Sequence, residues 1–233
     1  RAYANHMDKE TNITICCPSR GRPDLAKRME QSAYDTAKWP DKIKVKFYLN
    51  DDDSTLGEYK KHNLRHVEIG PDRSTVMSWN VLAESEHSKM YKMVGDDAQF
   101  ITTSWDQIFL DQLSQHPDGI FAIGTATGKK HGLEYQTCPH PTIARQWRDA
   151  LGYFWPPQFH HWCLDSYTKD LAVAVNRYIF LEEVMVKVKK ITQDSTAKRI
   201  RTSSVQLRDE WLYNKTKECF FPDDVKRLRK AMQ

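Results

Sequence analysis

Two clusters of carboxylates and one arginine-bearing loop carry most of the chemistry available to this sequence. Asp51, Asp52 and Asp53 follow one apolar run, Asp96 and Asp97 follow another, and Pro18 to Pro23 supplies Ser19, Arg20 and Arg22 after a third. Guanidinium groups and the backbone N–H groups of a helix entry bind phosphate oxygens well, because both present fixed donors to an anion. The same loop also reads as a plain helix entry with solvated arginines. Carboxylates gathered at one rim repel each other unless a cation or hydrogen-bond donors lie between them. A hard divalent ion, Mg2+ or Mn2+, would take carboxylate oxygens on one side and phosphate oxygens on the other. The combination points to a nucleotide diphosphate held with a metal. Neither GxxxxGK[ST] nor a GxGxxG after a strand occurs, so a P-loop ATPase and a Rossmann-type dinucleotide site are not supported.

The elements that must position these groups are legible as alternating periodicities. Asn12 to Cys17 is a β-branched strand, and Asp24 to Ala37 carries helical spacing through Leu25, Met29 and Ala33. Ile43 to Leu49 alternates as a strand and breaks at Asn50 to Ser54, while Arg73 to His87 has helical spacing through Val76, Trp79 and Leu82. Met90 to Val94 is a strand ending at Gly95-Asp96-Asp97, Trp105 to Gln115 a helix, and Gly119 to Gly124 another strand. The expected class is α/β, a mostly parallel sheet with helices on both faces, and ligands in such sheets lie beyond the carboxyl ends of the strands. Farther on, Thr142 to Leu151 and Thr168 to Val175 read as helices and Tyr178 to Val188 as a strand. The last forty residues read as charged helices on the outside, basic through Lys198, Arg199, Arg201, Lys226, Arg227, Arg229 and Lys230.

Composition narrows the class. A chain of 233 residues has room for one large domain, and no stretch approaches a membrane span. Five cysteines without CxxC spacing exclude a zinc module and a disulfide scaffold, which fits a reducing compartment such as the cytoplasm. A net charge of +4 does not demand a polyanionic partner. Arg1 to His6 reads as a cloning remnant ahead of Met7.

The ordered motifs ITICCPSRGRP (Ile13 to Pro23), NDDDST (Asn50 to Thr55), RSTVMSWNVLAES (Arg73 to Ser85) and MVGDDAQF (Met93 to Phe100) resemble the A-type (GT-A) glycosyltransferases, nearest family 2. The resemblance spans Asn12 to Asp170. It implies a single GT-A-like unit over 7–233: a Rossmann-like nucleotide-sugar half over about 12–124, an acceptor half over 125–190 and a basic extension over 191–233. It implies that Pro18, Ser19, Arg20 and Arg22 line the nucleotide pocket, that Asp51 meets the nucleobase or its neighbour, and that Arg73 and Asn80 sit near the base or pyrophosphate. Asp96 would approach the ribose, and Asp97, the last residue of the DXD-like motif, would bind Mn2+ or Mg2+. Gly95 departs from that motif, since its first acidic position is lost.

Downstream, the resemblance implies an acidic base for inverting transfer, and Asp165 in His161-Trp162-Cys163-Leu164-Asp165 is the candidate. Its plain alternative is a helix cap for Ser166 to Val175. No histidine follows His161, so closure of a metal shell falls to His160 or His161, to water, or to nothing. Trp155, His160 and Trp162 are candidate acceptor contacts, with packing as the alternative for the tryptophans. Lys129-Lys130-His131 either covers the pyrophosphate or is a solvated turn.

The expected activity is metal-dependent transfer of a sugar from a nucleotide diphosphate donor, a UDP-sugar first, to a hydroxyl acceptor. With basic segments and an aromatic loop, one candidate acceptor is DNA carrying hydroxymethylated pyrimidines, as in bacteriophage DNA modification, which would put the protein in the host cytoplasm. The alternatives are a sugar-phosphate nucleotidyltransferase and a non-catalytic nucleic-acid binder.

Overall fold

The first strand, β1 (Thr11–Ser19), is buried along nearly its whole length, as expected of β-branched sequence inside a sheet covered on both faces. The computed structural model describes residues 11–128, 138–189 and 193–233. Around β1 are α1 (Pro23–Thr36), β2 (Ile43–Asn50), α2 (Leu56–Lys61), β3 (Val67–Gly70), α3 (Thr75–Glu84) and β4 (Ser88–Met93). There follow β5 (Ala98–Phe100), α4 (Trp105–Gln115), β6 (Ala122–Ala126), β7 (Thr142–Ala144), α5 (Arg145–Leu151), α6 (Leu164–Ala174) and β8 (Tyr178–Val188). The chain ends in α7 (Ser195–Ile200), α8 (Ser203–Cys219) and α9 (Phe221–Ala231).

The strands form an eight-stranded sheet in the order β3-β2-β1-β4-β7-β6-β8-β5. The run β3-β2-β1-β4 is parallel, as is β6-β8, while β7 and β5 pair antiparallel to their neighbours. The α/β class with a mainly parallel sheet is thus the observed one. One face buries Ile13, Ile15, Val45 and Phe47 against α1 and α4. The other buries Cys16, Tyr48 and Tyr91 against α3, α5, α6 and α9. Each fully buried aliphatic or aromatic side chain contributes roughly 1.5–3 kcal/mol of transfer free energy, so these two layers fix the strand ends that carry the site.

Two local expectations are corrected. Thr142 to Ala144 is not the start of a helix but the strand β7, which lies antiparallel between β4 and β6. Two β-branched residues fit that slot, and the helix begins only at Arg145. The basic tail is not simply external: Ala197, Asp209, Val225 and Leu228 are buried. Lys129, Lys130 and His131, like Arg1 to His6, lie outside the described residues.

Candidate functional site

Because β1, β2 and β4 are parallel neighbours, their carboxyl ends meet at one edge of the sheet, and a cavity of about 310 Å³ opens there. This lies within the usual span of small-molecule sites, roughly 300–1,000 Å³. Pro18, Ser19, Arg20 and Arg22 line it from the end of β1, Asn50 from β2, and Gly95, Asp96 and Asp97 from the turn after β4. Arg73 and Thr75 come from the start of α3, and His160, His161, Trp162 and Asp165 from the segment leading into α6.

Asp96 is the buried centre of the carboxylate group. Ser19 Oγ donates to its Oδ2 at 2.7 Å and Arg22 Nη1 to its Oδ1 at 3.0 Å. Burial pushes the Asp96 carboxyl up to about 6, with the charge of Asp97 adding to the rise and Arg22 and Ser19 opposing it. Tyr59 fastens the loop from beneath: its hydroxyl accepts the Arg22 N–H at 3.0 Å and lies 2.7 Å from Ser19 Oγ. Arg22 also grips Asp194 at the start of α7, Nε to Oδ2 at 2.7 Å and Nη2 to Oδ1 at 2.8 Å. Burial works against the charge on Arg22, but Asp194 and Asp96 outweigh it and hold the guanidinium firmly protonated.

The opposite wall is set by a carboxylate that sequence reading missed. Asp209 on α8 is fully buried and accepts the backbone N–H groups of His160, His161 and Trp162, at 2.7 to 3.1 Å. The His160-His161-Trp162 turn is therefore held by its backbone. Trp162 Nε1 donates to Ile200 O at 2.9 Å, and His161 Nδ1 lies 3.2 Å from Thr75 Oγ1, its ring stacked on Trp79. Burial lowers His161 to about 4, so its imidazole is neutral at ordinary pH. Asp165 follows in the first turn of α6, which begins at the left-handed residue Cys163. That makes Asp165 an inner residue of the helix and not its cap.

Three anticipated contacts fall elsewhere. Asp51 is exposed and off the cavity wall. Side chains alternate along β2, so Tyr48 and Asn50 share the cavity face while Leu49 and Asp51 turn away. Asn50 Nδ2 instead donates to Asp72 Oδ1 at 2.7 Å, bringing Asp72 onto the wall. Asn80 is structural: its side chain donates to Trp155 O at 2.9 Å and accepts from Trp155 N at 3.1 Å. Trp155 itself is fully buried in the core formed with α3, α5 and α6. Its bulk and the flanking prolines make it packing, which removes it from the acceptor side. Asp52 and Asp53 shape the loop, Asp52 pairing with Arg20 and Asp53 accepting from Gly21 N at 2.9 Å.

Residues missed from sequence include Asn50, Asp72, Asp194, Thr196, Arg199 and Arg201, all on or against the cavity. Asp194, Arg199 and Arg201 showed only charge in a tail, which reads as solvated surface, while Asn50, Asp72 and Thr196 carried no signal apart from their neighbours.

A divalent ion has a limited but suitable donor here. No group of three or more His, Cys, Asp or Glu side chains among the described residues could hold a metal alone. Mg2+-type ions commonly take one or two protein carboxylates and complete their shell with water and substrate phosphates, so Asp97 at the cavity fits that use. Gly95 makes room for it: a Cβ there would lie 2.7 Å from Asp97 Oδ1. His161 faces Thr75 and contributes to the wall.

No protein-family model matches the chain, and no curated protein matches it by sequence. Solved structures do match in shape. The mannosyltransferase PcManGT from Pyrobaculum calidifontis, in complex with GDP-Man and Mn2+, aligns with a TM-score of 0.66 at 12% identity, over 96% of this chain and 74% of that one. S. aureus TarS 1-349 in complex with UDP-GlcNAc aligns with a TM-score of 0.60 at 11% identity, over 78% of this chain and 60% of TarS 1-349. Among the described residues no helix is long and apolar enough to cross a membrane. With its parallel strands ending at a cavity ringed by arginine and aspartate, and with these structural likenesses, the chain has the GT-A glycosyltransferase fold.

Proposed function

We propose that this protein is a glycosyltransferase that binds a nucleotide sugar in the cavity beyond β1, β2 and β4 and transfers the sugar to a hydroxyl acceptor. The observation that carries the reading is the convergence of Arg20, Arg22 and Arg73 with Asp96 and Asp97 on that cavity, within a fold whose solved examples include complexes with GDP-Man and UDP-GlcNAc. A divalent ion held by Asp97 would supply charge neutralisation for the departing diphosphate.

Asp165 is our candidate base for an inverting transfer. Its carboxylate would take the proton of the acceptor hydroxyl as that oxygen bonds to the sugar C1; the bond from C1 to the diphosphate breaks, and a nucleoside diphosphate leaves. His160 and Trp162 are the candidate acceptor contacts, on the same stretch of wall as Asp165. A UDP-sugar is the first donor to test and a GDP-sugar the second.

A DNA acceptor finds less support. Trp155 is used in the core, so it is not free to stack on a base, and Arg199 and Arg201, though exposed, line the cavity.

The deciding experiment is incubation with UDP- and GDP-sugars plus Mn2+, with and without hydroxyl acceptors that include hydroxymethylated DNA, and mass analysis of all products. Transfer or slow donor hydrolysis releasing nucleoside diphosphate is expected, and Asp165→Asn should slow transfer about a hundredfold or more while donor affinity holds. Pyrophosphate release from a nucleoside triphosphate and sugar phosphate would make it a nucleotidyltransferase, and nucleic-acid binding without turnover would leave only a binding module.

A further inference from the structure

Five arginines line the cavity, and they are not equivalent. Arg20 is paired with Asp52, Arg22 with Asp96 and Asp194, and Arg199 with Asp72. The remaining two, Arg73 and Arg201, form no ion pair among the described residues. Arg73 lies with its guanidinium carbon 5.0 Å from the centre of the Tyr48 ring, and its Nε is buried without a hydrogen-bond partner. An orphaned guanidinium donor at a cavity wall is costly unless an anion completes it.

Arg201 arrives by a different route. Residues 194–201 supply Thr196, Arg199, Ile200 and Arg201 to the cavity wall and are fastened at several points. Asp194 is gripped by Arg22 and caps α7 by accepting Ala197 N at 2.7 Å. Thr196 Oγ1 donates to Arg20 O at 2.7 Å, and Ile200 O accepts from Trp162. The last residue of this segment, Arg201, is thereby carried to the wall, close enough that its charge helps to depress the protonation of His161, whose main cause is burial. Asp96, meanwhile, has both oxygens engaged by Ser19 and Arg22.

We propose that residues 194–201 form an arginine clamp for a diphosphate, in which Arg201 and Arg73 bind the phosphate oxygens directly while the Asp96–Arg22–Asp194 relay holds the clamp in place. Part of the affinity for the diphosphate is then independent of any divalent cation. The ligand class is a nucleoside diphosphate or its sugar ester, so the proposal rests on the nucleotide-sugar reading and deepens it. Arg22 and Asp194 act here as positioning residues, because their own hydrogen bonds are spent on each other and on Asp96.

The test is calorimetric titration with UDP, GDP, uridine, guanosine and inorganic pyrophosphate, in EDTA and again with Mn2+. The native protein should bind a nucleoside diphosphate in EDTA more tightly than the matching nucleoside. Charge-assisted hydrogen bonds of this kind are each worth about a tenfold change in affinity, so Arg201→Gln and Arg73→Gln should each weaken diphosphate and pyrophosphate binding about tenfold and leave nucleoside binding alone. Asp194→Ala, at a partly exposed position outside the two core layers, should reproduce the Arg201→Gln loss and add nothing to it in the double variant. That non-additivity separates positioning from general destabilisation, which thermal melting of the same variants would register. Diphosphate binding that is seen only with Mn2+, or that is equal in native and Arg201→Gln protein, overturns the clamp while leaving the transferase reading standing. Absence of nucleotide binding under every condition overturns both.

Discussion

The carboxylate of Asp209 accepts the backbone N–H of His161 at 2.7 Å, joining a C-terminal helix to the cavity wall across 48 positions of sequence. The same carboxylate takes the N–H groups of His160 and Trp162, so one buried side chain satisfies three donors that have left regular secondary structure. Removing it would leave them buried and unpaired, at about 1–3 kcal/mol for each. Asp209→Ala is therefore expected to lose roughly 3 kcal/mol or more in urea denaturation, and Asp209→Asn, which keeps an oxygen acceptor, distinctly less. Equal stability of native protein and Asp209→Ala would contradict this account of the wall.

The glycine at the first position of the DXD-like turn has a steric consequence for metal use. A Cβ at Gly95 would meet Asp97 Oδ1 at 2.7 Å, and that oxygen is the end of a movable side chain. Substitution should leave the fold intact and push the carboxylate off its present position. Gly95→Asp, although it recreates an acidic residue there, is expected to lower Mn2+-dependent turnover about tenfold or more, since small misplacements of reacting or coordinating groups carry such penalties. A variant with raised turnover and tighter Mn2+ binding would refute this reading of the turn.

Lys92, in the middle of β4, is fully buried with its Nζ donating to His140 O at 2.9 Å and lying 5.3 Å from the Phe109 ring centre. Burial lowers its titration from 10.5 to about 7. Across that interval the unfolded chain holds a proton that the folded chain has released, so this group makes stability rise with pH from about 7 toward 10.5. Compared with Lys92→Met, the native protein should gain stability between about pH 6.5 and about pH 9.5. Urea denaturation of both proteins at the two values checks it, and a pH-independent difference would show that the ammonium is not desolvated as the fold requires.

Much of the frame was readable because it depends on neighbours in sequence. β-branched runs such as Ile13 to Cys16 and the amphipathic spacing of α1 declare themselves locally, and the turn Gly95-Asp96-Asp97 follows its strand after one residue, Val94. Asp51 shows where this ends. The strand before it was legible, but a single residue decides which face a strand-end side chain takes, and Asn50 holds the cavity side. Trp155 shows a second limit, since an aromatic beside prolines suits a ligand platform or a core equally well until its neighbours are known.

By itself the amino-acid order determined the alternation of strands and helices, the arginine loop after β1 and the carboxylates after β4, because periodicity and adjacency act over a few residues. Tertiary structure alone decided that Asp194 would meet Arg22 and that Asp209 would hold the His160-His161-Trp162 turn. It also decided that Arg201, still exposed, would line the cavity. The physical reason is the same in each case: hydrogen bonds and ion pairs are made by groups brought within about 3 Å in space, and the chain separation between them leaves no periodic trace.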